Sequence, residues 1–378
     1  MVNIDAPVAR WNRLHPTVAA MLGGLLCAVL LLGLERAGWT GATQARIFVG
    51  RFDFNAILMR GMLGFLLFAG SLHLDPKTLK EEAGFVAALS TAGVLLSTFL
   101  IGGGLHAALV WSGREISWVS CLLFGALISP TDPVAVLAIF RRVQVSRGLA
   151  ATVAAESLFN DGMGVVAFAS ILGAAVSGDG VSWPRALVLF LAQTGGGIAL
   201  GLAFGELASR GLDAFESLPA QVAVTAAIVL AGYTGANALH VSGLLAMVVT
   251  GMRVGGKSLR LKSFWTLVDG NLNAILFGLL GLEALTVPWS RASASIGLVA
   301  IPLVLSGRAL SVAAPMAAMR PWRTFAPGTF RALTWGGLRG AIPFALALSL
   351  PAGPDRGPLL GATYLVAVFS LLVQGSTI

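Results

Sequence analysis

The stretch Ala155-Glu156-Ser157-Leu158-Phe159-Asn160-Asp161-Gly162 decides how this chain is read. It sets two carboxylates, an amide and a hydroxyl inside the run 148–176, which is otherwise almost free of charge and long enough to cross a bilayer. A charge at the centre of a membrane helix costs roughly 3 kcal/mol or more, so an ionisable group there is a candidate functional residue by default. On a helix, Glu156 and Asn160 stack at i,i+4, and so do Ser157 and Asp161. The two stacks are neighbours. All four polar groups therefore share one face, leaving Leu158, Phe159 and Val165 for the others.

The composition agrees. The chain has 378 residues, 56% hydrophobic and 11% charged, with a mean hydropathy of +0.85. Soluble domains carry about 25% charged residues. The chain is therefore read as an all-α polytopic membrane protein, a single transmembrane transporter domain over 1–378 with no separate soluble domain. The net charge of +8 does not point to nucleic acid, because the Lys and Arg residues sit in short loops between apolar runs. Cys27 and Cys121 lie in apolar runs without metal-ligand spacing and are read as buried small residues. Arg10 and Arg13 precede the apolar run 17–34, which is long for a signal peptide and is read as the first membrane helix.

Twelve spans follow: 17–34, 55–71, 83–111, 117–140, 148–176, 184–205, 218–236, 241–253, 264–286, 292–319, 325–350 and 357–376. With the N-terminus inside, fifteen Lys and Arg residues fall on the cytoplasmic side and seven on the other. The inside clusters include Lys77 and Lys80, Arg141, Arg142 and Arg147, and Arg253, Lys257, Arg260 and Lys262. This asymmetry places both termini in the cytoplasm.

Two spans contain helix breakers. The fourth reads Ser129-Pro130-Thr131-Asp132-Pro133, and two prolines three apart remove amide donors and clash with preceding carbonyls. The eleventh reads Gly336-Gly337-Leu338-Arg339-Gly340-Ala341-Ile342-Pro343. Each break lies in the middle of a three-span group, 83–176 and 292–376. Matched interruptions in two halves point to inverted repeats with a site near the midplane. The repeat is inferred from layout, not from sequence identity between the halves.

These groups suit a small hard cation, which takes oxygen ligands. Asp161 offers a carboxylate, Ser157 a hydroxyl one turn earlier, and the opened fourth span free carbonyls near Thr131. Asp132 can neutralise exposed half-helix N-termini, and Arg339 does the reverse for half-helix C-termini in the other break. A carboxylate held away from water attracts a proton and a metal cation alike, so one site can exchange the two. Arg308, in the middle of a span, needs an anion, and Glu156 is the first candidate. The glycine clusters 102–104 and 195–197 read as helix-packing surfaces, since they lack the lysine of a phosphate loop. His73, His106 and His240 lie near span ends without metal-ligand spacing and read as interfacial residues.

At these motifs a family becomes visible. Ser129-Pro130-Thr131-Asp132-Pro133-Val134-Ala135-Val136, Glu156-Ser157-Leu158-Phe159-Asn160-Asp161-Gly162 and Gly336-Gly337-Leu338-Arg339-Gly340-Ala341 resemble the NhaP/NHE-type monovalent cation:proton antiporters. His240-Val241-Ser242-Gly243-Leu244-Leu245-Ala246 and Val373-Gln374-Gly375 are similar to the same family, so the resemblance runs through nearly the whole chain. It implies an NhaA/NhaP-like antiporter fold of about 12 transmembrane helices, with two broken, crossing helices. It implies Asp161 as the shared Na⁺/H⁺ carboxylate, with Ser157 and the Thr131 region completing the Na⁺ site. Asn160 is then the Asn of the Asn-Asp pair of electroneutral exchangers, and one titrating carboxylate suggests one H⁺ for one Na⁺. Glu156 pairs with Arg308, while Asp132 and Arg339 balance the crossed breaks. The resemblance further implies a homodimer in the cell inner membrane, an elevator-like movement of the core, and no cofactor beyond the transported ions Na⁺ or Li⁺ and H⁺.

Two departures stand out. Ala69 occupies a place where many relatives carry an acid, and the chain begins at what corresponds to the family's second helix, which bears on the dimer interface. Three other readings compete: K⁺/H⁺ exchange, because the ligands do not fix ion size; a hydrolase using Ser157, which lacks a placed base; and a channel or transport-dead sensor.

Overall fold

A computed structural model describes residues 16–133, 136–137, 140, 145–175 and 180–377. Arg10, Arg13, Arg141 and Arg142 of the positive-inside count, Val134 and Ala135 of the fourth-span motif, and Val176 at the end of the fifth span lie outside the described residues. The described residues form helices and contain no β-strand, only two isolated bridges.

In chain order the helices are α1 (Pro16–Arg36), α2 (Thr40–Gly50), α3 (Phe54–Ser71), α4 (Pro76–Trp111), α5 (Trp118–Ile128), α6 (Arg147–Ala174) and α7 (Trp183–Ala214). They continue with α8 (Leu218–Ala238), α9 (Gly243–Val254), α10 (Leu259–Leu285), α11 (Arg291–Met319), α12 (Thr329–Trp335), α13 (Ala341–Leu348) and α14 (Arg356–Thr377). Among the described residues nine helices are long and apolar enough to cross a membrane. The other three expected spans are the short helix α9, the broken pair α12–α13, and α5 with the break that follows it. The molecule is a multi-pass membrane protein.

Several helix starts are fixed by a side chain that accepts an orphan amide. Ser117, Ser146, Ser242, Ser258 and Ser290 do this for α5, α6, α9, α10 and α11, and Asp75 does it for α4. The Asp75 cap starts α4 seven residues before the apolar run at 83. At the end of α7, Glu206 pairs with Arg210 and Arg253, and Asp213 with Lys257, so the helix continues past its apolar stretch to Ala214. The segment 35–54, between the first two expected spans, contains the helix α2.

Two groups of helices are evident from their packing. α4, α5 and α6 pack with one another and, through α4 and α5, with α11, α13 and α14; α1, α3, α8, α9 and α10 form the other group. α7 packs on both α6 and α9 and so joins them. Glycine brings some of these backbones into close approach. A Cβ on Gly24 of α1 would lie 2.4 Å from the Gly278 carbonyl oxygen of α10, and one on Gly281 would lie 2.4 Å from that of Met21. The first apolar run is thus built into the fold as a helix. The clusters 102–104 and 195–197 are packing surfaces too, except at Gly195, which has nothing close by. Along α7 only 11% of the apolar window is buried, and Leu187, Val188 and Leu191 are exposed, as suits a lipid-facing surface. Cys121 is buried as expected, but Cys27 is exposed on α1, whose apolar window is mostly unburied.

Candidate functional site

The two breaks lie side by side. α5 ends at Ile128, and Pro130 and Pro133 cannot donate the amides a helix needs. The Asp132 amide instead donates to the Leu338 carbonyl at 2.7 Å, forming an antiparallel bridge between the fourth and eleventh spans. This register brings each break's charge to the other span. Arg339 Nη1 donates to the carbonyls of Ser129 (2.5 Å) and Pro130 (2.9 Å), just beyond the C-terminus of α5. Gly340, the residue before α13, lies against Asp132: a Cβ there would be 2.7 Å from Oδ2. The Asp132 carboxylate therefore stands at the N-terminal end of α13, where the helix dipole favours an anion. The sequence reading aimed Arg339 at its own break; the bridge turns it to the opposite one. The Nε and Nη2 atoms of Arg339 are buried without a hydrogen-bond partner among the described residues.

α6 runs unbroken past this junction. A Cβ on Gly164 would lie 2.4 Å from Pro130 Cγ, so the helix and the opened span are in close contact. Glu156, Ser157, Asn160 and Asp161 are all buried. Asn160 Nδ2 donates to Glu156 Oε1 (2.8 Å) and to Thr131 Oγ1 (3.1 Å). The Thr131 and Ser157 hydroxyls are 3.3 Å apart. Glu156 meets Arg308 of α11 in a two-pronged pair, Nη1 to Oε1 at 2.8 Å and Nη2 to Oε2 at 3.1 Å, and Arg308 Nε donates to the Leu333 carbonyl at 3.0 Å. The partner chosen for Arg308 from sequence is the partner found.

Asp161 stands outside that chain of bonds. It lines a cavity of about 170 Å³, together with Thr131, Asp132, Ala154 and Leu158. Ser157 is turned to Thr131 and does not line the cavity. α3 contributes an apolar wall of Leu63, Leu66 and Leu67; Ala69, where relatives carry an acid, is fully buried. The facing wall is polar and was missed from sequence. Asp269 and Asn273 of α10 line the cavity, with Asn273 Nδ2 donating to Asp269 Oδ1 at 3.1 Å. The signal was present, since an acid with an amide at i+4 inside an apolar span is the pattern that marked Glu156 and Asn160. His73, exposed in the turn between α3 and α4 as its reading near a span end expects, also lines the cavity and is hydrogen-bonded to Thr266 Oγ1 at 3.1 Å. Among the described residues no cluster of three or more His, Cys, Asp or Glu side chains suits a resident metal.

Crossed broken spans beside a buried carboxylate in a cavity define a class: secondary transporters that bind ions near the membrane midplane. The comparisons with known proteins agree. Residues 3–378 match the family model described as sodium/hydrogen exchanger, transmembrane, and the chain belongs to that family. It is 38% identical to the Na⁺/H⁺ antiporter NhaP of Pseudomonas aeruginosa, over 98% of this chain and 91% of that one. It is 32% identical to the Na⁺/H⁺ antiporter NhaH of Halobacillus aidingensis, over 98% and 92% respectively. The solved structure of the sodium proton antiporter MjNhaP1 from Methanocaldococcus jannaschii at pH 8 superposes with a TM-score of 0.67 at 20% identity, covering 95% of this chain and 96% of that one. The fold is the antiporter fold, and the family is one of transporters rather than enzymes, which sets aside the Ser157 hydrolase.

Proposed function

We propose that this chain is an electroneutral Na⁺/H⁺ antiporter that exchanges cytoplasmic Na⁺ or Li⁺ for external H⁺ at one shared carboxylate, Asp161. The observation that carries the reading is a division of labour between two acids five residues apart on α6. Glu156 is committed to Arg308 by two short bonds and receives a third from Asn160. Asp161 has no such partner among the described residues and faces the cavity. One acid of the pair is thus held as an ion pair and the other is left for the transported ions, which supports one H⁺ for one Na⁺. Thr131 completes the cation site from the cavity wall. Ser157 and Asn160 hold the Thr131 hydroxyl, and Asp132 and Arg339 hold the two breaks in place.

The whole chain acts as one transporter unit, without a cofactor beyond its ions. The relatives named as bacterial antiporters support placement in a cell inner membrane, and the loop charges support cytoplasmic termini. Homodimerisation rests on the family resemblance. The test is pH-gradient-driven ²²Na⁺ uptake in proteoliposomes, with and without a K⁺/valinomycin clamp. Uptake by the wild type that is unchanged by the clamp, and absent in Asp161→Asn, is expected. Normal uptake by Asp161→Asn would sink the assignment. Competition by Na⁺, Li⁺ and K⁺ in the same assay fixes the ion.

A further inference from the structure

The α10 wall of the cavity has a role that the shared carboxylate does not account for. Asp161 lies fourteen residues into α6, about 21 Å from the helix start at the usual rise. Asp269 lies ten residues into α10, about 15 Å from its start. Both helices begin on the side assigned to the cytoplasm by the loop charges. Asp269 is therefore the shallower of the two acids. His73 is nearer that membrane face still, in the turn between α3 and α4. Thr266, Asp269 and Asn273 follow one another at three- and four-residue spacing, so they share one face of α10. That face carries the bond between Thr266 and His73 and the bond from Asn273 to Asp269. Asp269 is half-buried and Asn273 is buried beneath it. Among the described residues the cavity lining includes no Lys or Arg, and Asp269 takes part in no ion pair. A fixed negative charge in a low-dielectric cleft concentrates cations there.

We propose that Asp269, braced by Asn273, is the charged group a monovalent cation meets between the cytoplasm and Asp161, and that it sets the apparent cytoplasmic affinity for Na⁺. This rests on the reading of Asp161 as the shared carboxylate. Asp269 acts on the approach of the ion and takes no part in the exchange of proton for cation. Its effect therefore falls on the apparent KM, is screened by salt, and belongs to one face of the membrane. A merely structural bond between Asp269 and Asn273 would give none of these signatures.

The experiment uses everted membrane vesicles, which present the cytoplasmic face to the medium, with Na⁺-dependent dequenching of a pH dye. At an ionic strength of about 10 mM, Asp269→Asn is expected to raise the KM for Na⁺ about three- to tenfold, the effect of one charge about 6 Å from the ion at an effective dielectric constant of about 80 to 40. With choline chloride raising the ionic strength to about 0.5 M, the difference from wild type should shrink to less than twofold. Asp269→Glu keeps the charge and should keep the KM near wild type. If Asp269→Asn does not accumulate in the membrane, Asp269→Ser carries the same test. A KM that is unchanged, a KM raised equally at both ionic strengths, or a loss confined to the maximal rate overturns the proposal. Asp161→Asn is run in parallel: exchange by that variant would refute the shared carboxylate itself, whereas failure of the Asp269 variants to shift KM refutes only the approach role.

Discussion

Glu156→Gln tests the physical core of the site. Glu156 is 1% exposed and Arg308 6% exposed. The carboxylate receives three hydrogen bonds of 2.8, 3.1 and 2.8 Å, two from Arg308 and one from Asn160. The substitution keeps the shape of the side chain and removes its charge, leaving a buried guanidinium with no anion, only the Leu333 carbonyl and one amide oxygen, and turning an NH2 donor toward it. Breaking a buried pair from one side costs about 3–5 kcal/mol. The reverse change, Arg308→Met, should cost less, because a stranded carboxylate can take up a proton whereas a guanidinium cannot lose one. The double variant Glu156→Gln/Arg308→Met should cost less than Glu156→Gln alone, since paired removal leaves no buried charge. The assay is reversible denaturation in detergent micelles, read as a double-mutant cycle with a coupling energy of about 2 kcal/mol or more. A Glu156→Gln loss under about 1 kcal/mol, the range of exposed pairs, or strictly additive losses would refute the reasoning.

Three further outcomes follow from other contacts. Arg323 pairs with Glu82, which also accepts from Thr152 at 2.8 Å, and its guanidinium lies over the rings of Phe85 (5.0 Å) and Phe325 (5.3 Å). Arg323→Ala should therefore cost about 2 kcal/mol in thermal unfolding, and Arg323→Lys should recover less than half of that. Gly164→Ala drives a methyl to 2.4 Å from Pro130 Cγ and should cost about 1–3 kcal/mol and slow exchange, whereas Gly195→Ala, with nothing within 4 Å, should change neither. Asp75 caps α4 by accepting from the side chain and the amide of Thr78, and these bonds hold its carboxyl below the usual value of 3.8. The cap's contribution is thus complete above that value and is lost as the pH falls through the lower folded one. Hydrogen exchange at the Thr78 amide should show protection at pH 6 that fades below about pH 3.8 in the wild type and is absent throughout in Asp75→Ala.

Much of the fold was legible because membrane spans write themselves as apolar runs. The starts and ends of spans were less so. α4 is capped by Asp75, a polar residue outside the apolar run, and α7 is prolonged by ion pairs, one of which only packing against α9 brings together. In the site, the charges of α6 and the Glu156–Arg308 pair could be read because a buried charge demands a partner of opposite sign. The crossing of Arg339 to Ser129 and Pro130 could not, because it depends on the register of two irregular segments far apart in sequence. Asp269 carried a readable signal that went unweighed: an acid in an apolar span is expensive wherever it stands.

The bridge between Asp132 and Leu338 also has a consequence in time. Its two ends are separated by about two hundred residues of chain. At a synthesis rate of about 5–20 residues per second, the fourth span waits roughly 10–40 s for its partner to be made. Through that interval Thr131 and Asp132 are held by nothing from the eleventh span, and the carbonyls of Ser129 and Pro130 lack the arginine that later binds them. The fourth span is therefore inserted unfinished, and the cavity beside Asp161 takes its shape only once the eleventh span has been made.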